Sequence, residues 1–504
     1  MKPTKSSGQP NSPLTIDRWF GIITRMFSQV TLNDLVEWTR AKLSSPFTSV
    51  KFVTAISSDS RTFKAEEVFV ALPGEKFDGH QYIEEVVSKG ALAIIGEKRP
   101  ATWNHSIPFL EVPSSLRAYV DIGRALRKKF QGKILAVTGS AGKSSTKDML
   151  GVLLGPQTIV SPKSFNNLLG VSKTLCLLED QTKNLVLEMG MNGFGEIREM
   201  CENFQPYGGA VTNIGDAHIG KLGGRDGIYR AKKELFDWIS KSEPCLGVAI
   251  NLDDSLVVRA AREAFSKPVK SISYSAKDPR ADIYISERSI DPQSGALSLK
   301  LITKGGDFKV TIPHFGIHHA YNLAASVALA RLAQVSWKEI EQRLSQVVPS
   351  ESRGQITQLP AKITLIDESY NSNPSALISS LESVLLMNPK GRKIIVLGEM
   401  RELDDFSESL HREVGRQIAN MFSENPTQVV LFAVGKETQS LLQEVQQANS
   451  KVATFYAETV EQVSPPVLGA LRGQDLVFIK GSRGIALDKL VNQIKASKPQ
   501  KLGH

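Results

Sequence analysis

Val137-Thr138-Gly139-Ser140-Ala141-Gly142-Lys143-Ser144-Ser145 contains what a bound phosphate chain requires. Small residues let the backbone come close, a lysine reaches bridging oxygens, and a hydroxyl suits magnesium. Val137 stands five positions before Gly142, where the longer form of such loops has glycine, so this is the short Gly-x-x-Gly-Lys-Ser form. A glycine turn that binds nothing has no need of Lys143 and Ser144 at a helix start, where phosphate charge is accommodated.

Other residues have the right chemistry to act on the same ligand. Glu188 ends Leu185-Val186-Leu187 and so falls at the carboxyl edge of a strand, where open α/β sheets bind ligands. It reads as a magnesium ligand or as a carboxylate capping a neighbouring helix. His218, seven residues beyond Val211, reads as a metal ligand or an ordinary loop histidine. Lys232 lies four residues after Ile228 and three before Leu235 on an expected helix over 226–239, so it points inward with them and Ile239. An inward lysine snorkels, or it needs a partner or a modification.

Positioning these groups takes several elements. At 504 residues the chain exceeds what one core usually supports. Residues 2–13, rich in Lys, Ser, Pro and Gly, cannot offset their ordering entropy, so an N-terminal extension over 1–27 is expected to be disordered in part. A small mixed domain over 28–111 begins at Thr31, a helix-capping residue, and includes strand-like runs at 68–72 and 91–95. Over 112–348 a helix (116–130), a strand (134–137), the glycine turn and a second helix are followed by strands at 185–187 and 210–211. This alternation predicts a P-loop-type parallel sheet covered on both faces. Pro349 and Ser350 break the pattern. Strands at 364–366, 394–397, 429–434 and 476–479 then alternate with helices in a Rossmann-like domain over 349–504. The expected fold class is therefore α/β in three domains.

Asn322 and Arg353 bracket the junction of the second and third domains, where a nucleotide would be clamped between sheets; Arg353 equally suits an interdomain salt bridge. Tyr370, Asn371 and Asn373 precede Pro374 at a strand end, a turn-forming context. In the first domain, Ser60 and Arg61 offer a hydroxyl and a guanidinium fork suited to phosphate oxygens.

The excess of 61 Lys and Arg over 52 Asp and Glu, a net +9, favours anionic partners. No basic run is interleaved with aromatics, so nucleic acid is not expected. Cys176, Cys201 and Cys245 are odd in number and form no paired spacing, so neither a disulfide framework nor a zinc site is indicated, and a reducing cytoplasm fits. No uncharged apolar stretch reaches the roughly 18 residues of a membrane helix, and Asp17, Arg18 and Arg25 interrupt the first apolar segment, so neither a span nor a signal peptide is read.

The segment TGSAGKSSTKDML resembles the nucleotide loop of the Mur ligase family, and further segments match in order. Ser58-Asp59-Ser60-Arg61 with Asp78-Gly79-His80 resembles the UDP-handling domain, and Asn166-Asn167-Leu168-Leu169-Gly170 the paired-Asn loop. Thr212-Asn213-Ile214-Gly215-Asp216-Ala217-His218 with Ala231-Lys232-Lys233-Glu234 resembles the central metal region. Asp367-Glu368-Ser369-Tyr370-Asn371-Ser372-Asn373-Pro374 resembles the motif of the D-alanyl-D-alanine-adding branch, and Lys480-Gly481-Ser482-Arg483 closes the match.

The resemblance implies an ATP-dependent ligase of peptidoglycan synthesis that adds D-alanyl-D-alanine to UDP-N-acetylmuramoyl-tripeptide through an acyl phosphate. It implies ATP contacts at Thr138, Gly139, Ser140, Ala141, Gly142, Lys143, Ser144, Ser145, Asn322, Arg353 and Glu368, and substrate contacts at Ser60, Arg61, Asn166, Asn167, Tyr370, Asn371, Asn373 and Ser482. Two magnesium ions are implied, one on Ser144 and Glu188, the other on His218 and a carbamate carried by Lys232; Lys143, Glu188, His218, Lys232 and Arg353 form the implied catalytic set. A monomeric cytoplasmic enzyme is expected, without integral membrane association. Ala141, His319 and Glu368 depart from the family's usual residues. The alternatives are a sibling ligase with another acceptor and a non-catalytic nucleotide-binding regulator.

Overall fold

Thr31 starts the first described helix, Leu32–Thr39, by a reciprocal cap. Its Oγ1 accepts the Asp34 N–H at 3.2 Å, while the Asp34 carboxylate accepts the Thr31 N–H at 2.8 Å. The computed structural model describes residues 27, 29–44, 50–74, 77–101, 103–217, 219–423, 428–448 and 451–497. His218 and residues 1–26, nearly all of the expected extension, lie outside the described residues.

The chain divides into two units, residues 1–115 and 116–504. In the first, five short strands run in the order Lys42–Leu43, Phe109–Glu111, Ala93–Gly96, Val68–Val70, Ile56–Ser57, parallel except for the first pair. Phe69, Ile94 and Phe109 form its core with Ile83 and Val86 of the helix Ile83–Ser88.

The second unit holds two sheets. The larger has nine strands, in the order Gly306–Ile312, Leu297–Thr303, Ile283–Ile290, Ser271–Ser275, Gly247–Asn251, Gly208–Val211, Lys133–Thr138, Asn184–Glu188, Thr158–Val160. Its pairings are parallel from Thr158–Val160 through Ile283–Ile290, and Ile134, Leu135, Ala136 and Val137 are fully buried, as strands covered on both faces must be. The expected parallel sheet is thus extended by two antiparallel strands. Lys304 and Gly305 alone separate the paired residues Thr303 and Gly306, which is room for a hairpin and not for a crossover.

The smaller sheet runs Gln355–Leu359, Ile363–Glu368, Leu476–Lys480, Lys393–Gly398, Val429–Val434, Ala453–Ala457, parallel except at its first pair. Leu476–Lys480 lies between Ile363–Glu368 and Lys393–Gly398 although it comes last in sequence. The helix His319–Leu332 is buried along nearly its whole length, with polar His319, Asn322 and Ser326 among its buried residues, and it packs against the helix Lys143–Leu154. Thr138 and Glu188 end strands of the large sheet, and Glu368 and Lys480 end strands of the small one.

Candidate active site

The turn between the strand Lys133–Thr138 and the helix Lys143–Leu154 is a tightly packed cradle. Gly142 has φ 80°, a left-handed conformation that favours glycine, and a methyl group there would meet Asn322 Oδ1 at 2.3 Å. A methyl on Gly139 would lie 1.8 Å from Thr212 Oγ1. Thr212 Oγ1 and Asn213 Nδ2 donate to the Ala141 carbonyl at 2.6 and 3.0 Å, and Asn213 Oδ1 accepts the Ala141 N–H at 2.9 Å. Ser140 Oγ accepts the Gly215 N–H at 2.9 Å and donates to the Gly215 carbonyl at 3.2 Å. The segment 212–215 therefore holds the loop in its phosphate-accepting shape.

Lys143 opens the helix and donates to the Gly139 carbonyl at 2.7 Å. Its side chain keeps some exposure, but the ammonium sits among protein atoms. Burial lowers its pKa and the Arg353 guanidinium adds to that, against the attraction of Glu188. Ser144 Oγ donates to Glu188 Oε2 at 2.6 Å, and Asn166 Nδ2 to Glu188 Oε1 at 3.0 Å. Hydrogen bonds to a buried carboxylate contribute roughly 1.5–3 kcal/mol each, enough to fix Glu188, which is 1% exposed. Asn167 faces elsewhere and caps the helix Leu168–Leu175, its Oδ1 accepting the Gly170 N–H at 2.8 Å.

Lys232 faces the core of its helix, Arg225–Ile239, beside Ile228, Leu235 and Ile239. Burial pushes its pKa well below the usual lysine value, and the neighbouring charge of Lys143 pushes the same way. No acid pairs with it among the described residues, and an unpaired buried charge costs several kcal/mol, so the neutral amine is favoured. Lys233, one position on, is partly buried and pairs with Asp237 at 2.6 Å. Asp216 is held bidentately by Arg225 at 2.6 and 3.1 Å.

The small sheet faces this cradle with a second polar cluster. Lys480 Nζ lies 3.0 Å from Glu368 Oε2, which also accepts from Ser380 at 2.5 Å. Burial alone would raise the Glu368 pKa, but Lys480 and His318 hold it below the usual value. His318, His319 and Glu368 bring donor atoms within 4.8 Å of one another. The Lys480 ammonium already neutralises that carboxylate and opposes a cation there. Burial lowers the pKa of both imidazoles, and His319 Nδ1 meets Asn322 Nδ2 at 3.2 Å.

Arg353 lies between the two clusters. Its Nη2 donates to Ser164 Oγ at 3.0 Å, and its guanidinium stacks 3.9 Å from the centre of the Tyr370 ring. Arg483 approaches the same ring and donates to the Tyr370 hydroxyl at 3.2 Å. Asn371 offers its carbonyl to Lys480 at 3.3 Å, Asn373 caps the helix Pro374–Leu386, and buried Ser482 accepts the Arg401 N–H at 2.9 Å. In the first unit, exposed Arg61 is paired bidentately with Asp59 at 2.8 and 2.6 Å, and the carbonyl of buried Ser60 accepts from Lys89 at 2.7 Å.

The chain is similar to known proteins along most of its length. Residues 52–121 match the Mur ligase family catalytic domain, 137–330 the Mur ligase middle domain, and 352–483 the Mur ligase glutamate ligase domain. The chain belongs to the Mur ligase family. The UDP-N-acetylmuramoyl-tripeptide--D-alanyl-D-alanine ligase of Bacillus subtilis is 26% identical over 475 residues, spanning 92% of this chain and 98% of that protein. The enzyme of the same name from Synechocystis is 29% identical over 458 residues, 89% of this chain and 93% of that one. A crystal structure of MurF from Acinetobacter baumannii aligns with a TM-score of 0.78 at 28% identity, covering 94% of this chain and all of that one.

In this Mur ligase chain Thr138 to Ser145, Asn166, Glu188, Asn322 and Arg353 converge on one cradle, joined by Tyr370 and Glu368 from the small sheet. Thr212 and Asn213, which hold the loop, and Lys480 and His318, which face Glu368, are further site residues that residue type alone did not single out. Their signal is positional: Thr212 directly follows one site strand, and Lys480 ends another.

Proposed function

We infer that this Mur ligase is the ATP-dependent enzyme that adds D-alanyl-D-alanine to UDP-N-acetylmuramoyl-tripeptide, producing the UDP-muramoyl-pentapeptide of peptidoglycan synthesis. The carrying observation is similarity along about nine-tenths of the chain to ligases of that one specificity. In the reaction, the tripeptide carboxylate takes the γ-phosphoryl group of ATP to form an acyl phosphate. The amine of the dipeptide then displaces phosphate.

The residues suit these steps. Lys143 neutralises charge on the phosphate chain, while Gly139 to Ser145 cradle it through backbone N–H groups. Ser144 and Glu188 meet at 2.6 Å as hard oxygen donors, the chemistry a magnesium ion takes, and they would hold one. Magnesium supplies charge neutralisation of the phosphoryl oxygens. A neutral Lys232 amine can attack carbon dioxide and lose a proton, leaving a carbamate. That anion, with His218, would suit a second ion where an ammonium would repel it. Asn322, Glu368 and Arg353 are the proposed ATP contacts beyond the loop. Ser60, Arg61, Asn166, Asn167, Tyr370, Asn371, Asn373 and Ser482 are the proposed contacts to the UDP-peptide and the dipeptide. We place the domains at 28–111, 112–348 and 349–504 and propose a cytoplasmic monomer. No helix among the described residues is long and apolar enough to cross a membrane.

Mass spectrometry of the product formed from mixed UDP-muramoyl peptides and candidate acceptors tests the reading. A tripeptide product extended by D-alanyl-D-alanine, with phosphate release dependent on both substrates, is expected. Extension by a single amino acid would make the chain a sibling ligase, and ATP binding without turnover would make it a regulator.

A further inference from the structure

Lys147 lies one helical turn beyond Lys143 on the helix Lys143–Leu154 and is 1% exposed. A buried ammonium is tolerated only when its protons are taken up. Its Nζ donates to the carbonyls of Ser161 at 2.6 Å and Lys163 at 3.1 Å, and lies 2.7 Å from Asp148 Oδ1. Those carbonyls belong to the turn between the strand Thr158–Val160 and the helix Leu168–Leu175. From the same turn Ser161 Oγ accepts the Glu188 N–H at 3.1 Å, Ser164 Oγ accepts Arg353 Nη2, and Asn166 reaches Glu188. On the other side, Asp148 Oδ2 accepts the hydroxyl of Ser350, and the Ser350 carbonyl accepts the Arg353 N–H at 3.2 Å.

We propose that Lys147 and Asp148 are positioning residues of the ligase site. Lys147 sets the turn that aims Asn166 at Glu188 and Ser164 at Arg353, and Asp148 sets the linker that carries Arg353. One helical turn thereby registers the phosphate loop against two groups supplied by distant parts of the chain. This rests on the ligase reading for its kinetic consequences but not for its geometry. The Lys147 tie affects rate more than affinity, since misplacing a reacting group by about 1 Å costs on the order of a hundredfold. The Asp148 tie sets the linker of Arg353, a proposed ATP contact, and so bears on ATP affinity.

The full-length chain is compared with Lys147→Met, which keeps the stem and removes the ammonium, and with Asp148→Ala, Ser350→Ala and their double variant. Well below the melting temperature, Lys147→Met is expected to lower kcat roughly tenfold or more, with KM for the UDP-tripeptide nearly unchanged. Amide exchange in 161–167 should rise. Asp148→Ala and Ser350→Ala should raise KM for ATP, and the double variant should be little worse than Asp148→Ala alone, as two ends of one contact require. A purely structural lysine would lower the melting temperature and leave kcat in place, and that result overturns the proposal. If Lys147→Met does not fold, unchanged KM for ATP in both Asp148→Ala and Ser350→Ala overturns it instead. If the wild-type chain makes no ligated product, the ligase reading fails separately, and unchanged exchange in 161–167 then decides against the tie.

Discussion

The Lys143 charge lies close enough to buried Lys232 to add to the lowering of its pKa, in a site that must receive an anionic ligand. Lys143→Ala is expected to abolish ATP turnover while the chain melts near the wild-type temperature, because that side chain contacts a loop carbonyl and not the core. Phosphate release and thermal melting check this together. Lys232→Ala should be nearly inactive and regain activity with added short carboxylates, whereas Lys233→Ala, which loses only the pair with Asp237, should keep most activity. Equal loss in both variants would remove the carbamate from the account. His314 is buried, and its pKa falls from 6.5 to about 3, first through burial and then through His318. Its folded pKa lies below its unfolded one, so its neutral form contributes fully above about pH 6.5. That contribution falls away as the pH drops towards 3, over a range worth on the order of 5 kcal/mol. Melting temperature should therefore fall on acidification through this window, and fall less steeply in His314→Gln.

The strands that build the cradle were legible because central parallel strands leave unbroken apolar runs, as at Ile134 to Val137 and Leu476 to Ile479. The edge strands Gln355–Leu359 and Ala453–Ala457 were not, since half-exposed Gln-Ile-Thr-Gln-Leu and Ala-Thr-Phe-Tyr-Ala carry too little of that signal. The site divides in the same way. Residues with distinctive chemistry, such as Lys143 and Glu188, announce themselves from type and place. Asn166 is reached in the sequence only through the resemblance of its paired-Asn loop, because an asparagine in a loop satisfies many roles, and its contact with Glu188 is visible only in the structure. The linker before Gln355–Leu359 is shaped by left-handed residues, Ser352 at φ 57° and Gly354 at φ 77°. A methyl on Gly354 would lie 2.7 Å from the Phe315 carbonyl. Gly354→Ala is thus expected to destabilise by about 1–3 kcal/mol and to raise KM for ATP by shifting Arg353, measurable by denaturant unfolding and steady-state kinetics.

At the scale of the whole molecule, the two sheets of the second unit also meet away from the cradle. The helix Ile219–Leu222 rests on the 3-10 turn Asp404–Phe406, with Lys221 3.5 Å from Glu402. That pair is half-exposed and contributes at most about 1 kcal/mol, so packing and not charge decides the contact. A methyl on Gly220 would stand 2.6 Å from Asp404 Cβ, and Gly220→Ala is expected to loosen the contact, seen as a larger radius of gyration in solution scattering with an unchanged melting profile for each sheet. The order of strands in the small sheet has a bearing on how the chain is made. Ile363–Glu368 and Lys393–Gly398 leave a gap that only Leu476–Lys480 can fill, so throughout synthesis of the intervening residues two apolar strand edges wait unpaired. The strand that closes the gap also delivers Lys480 to Glu368. A nascent chain stopped short of residue 480 would therefore expose a sticky slot and lack a site residue in the same moment.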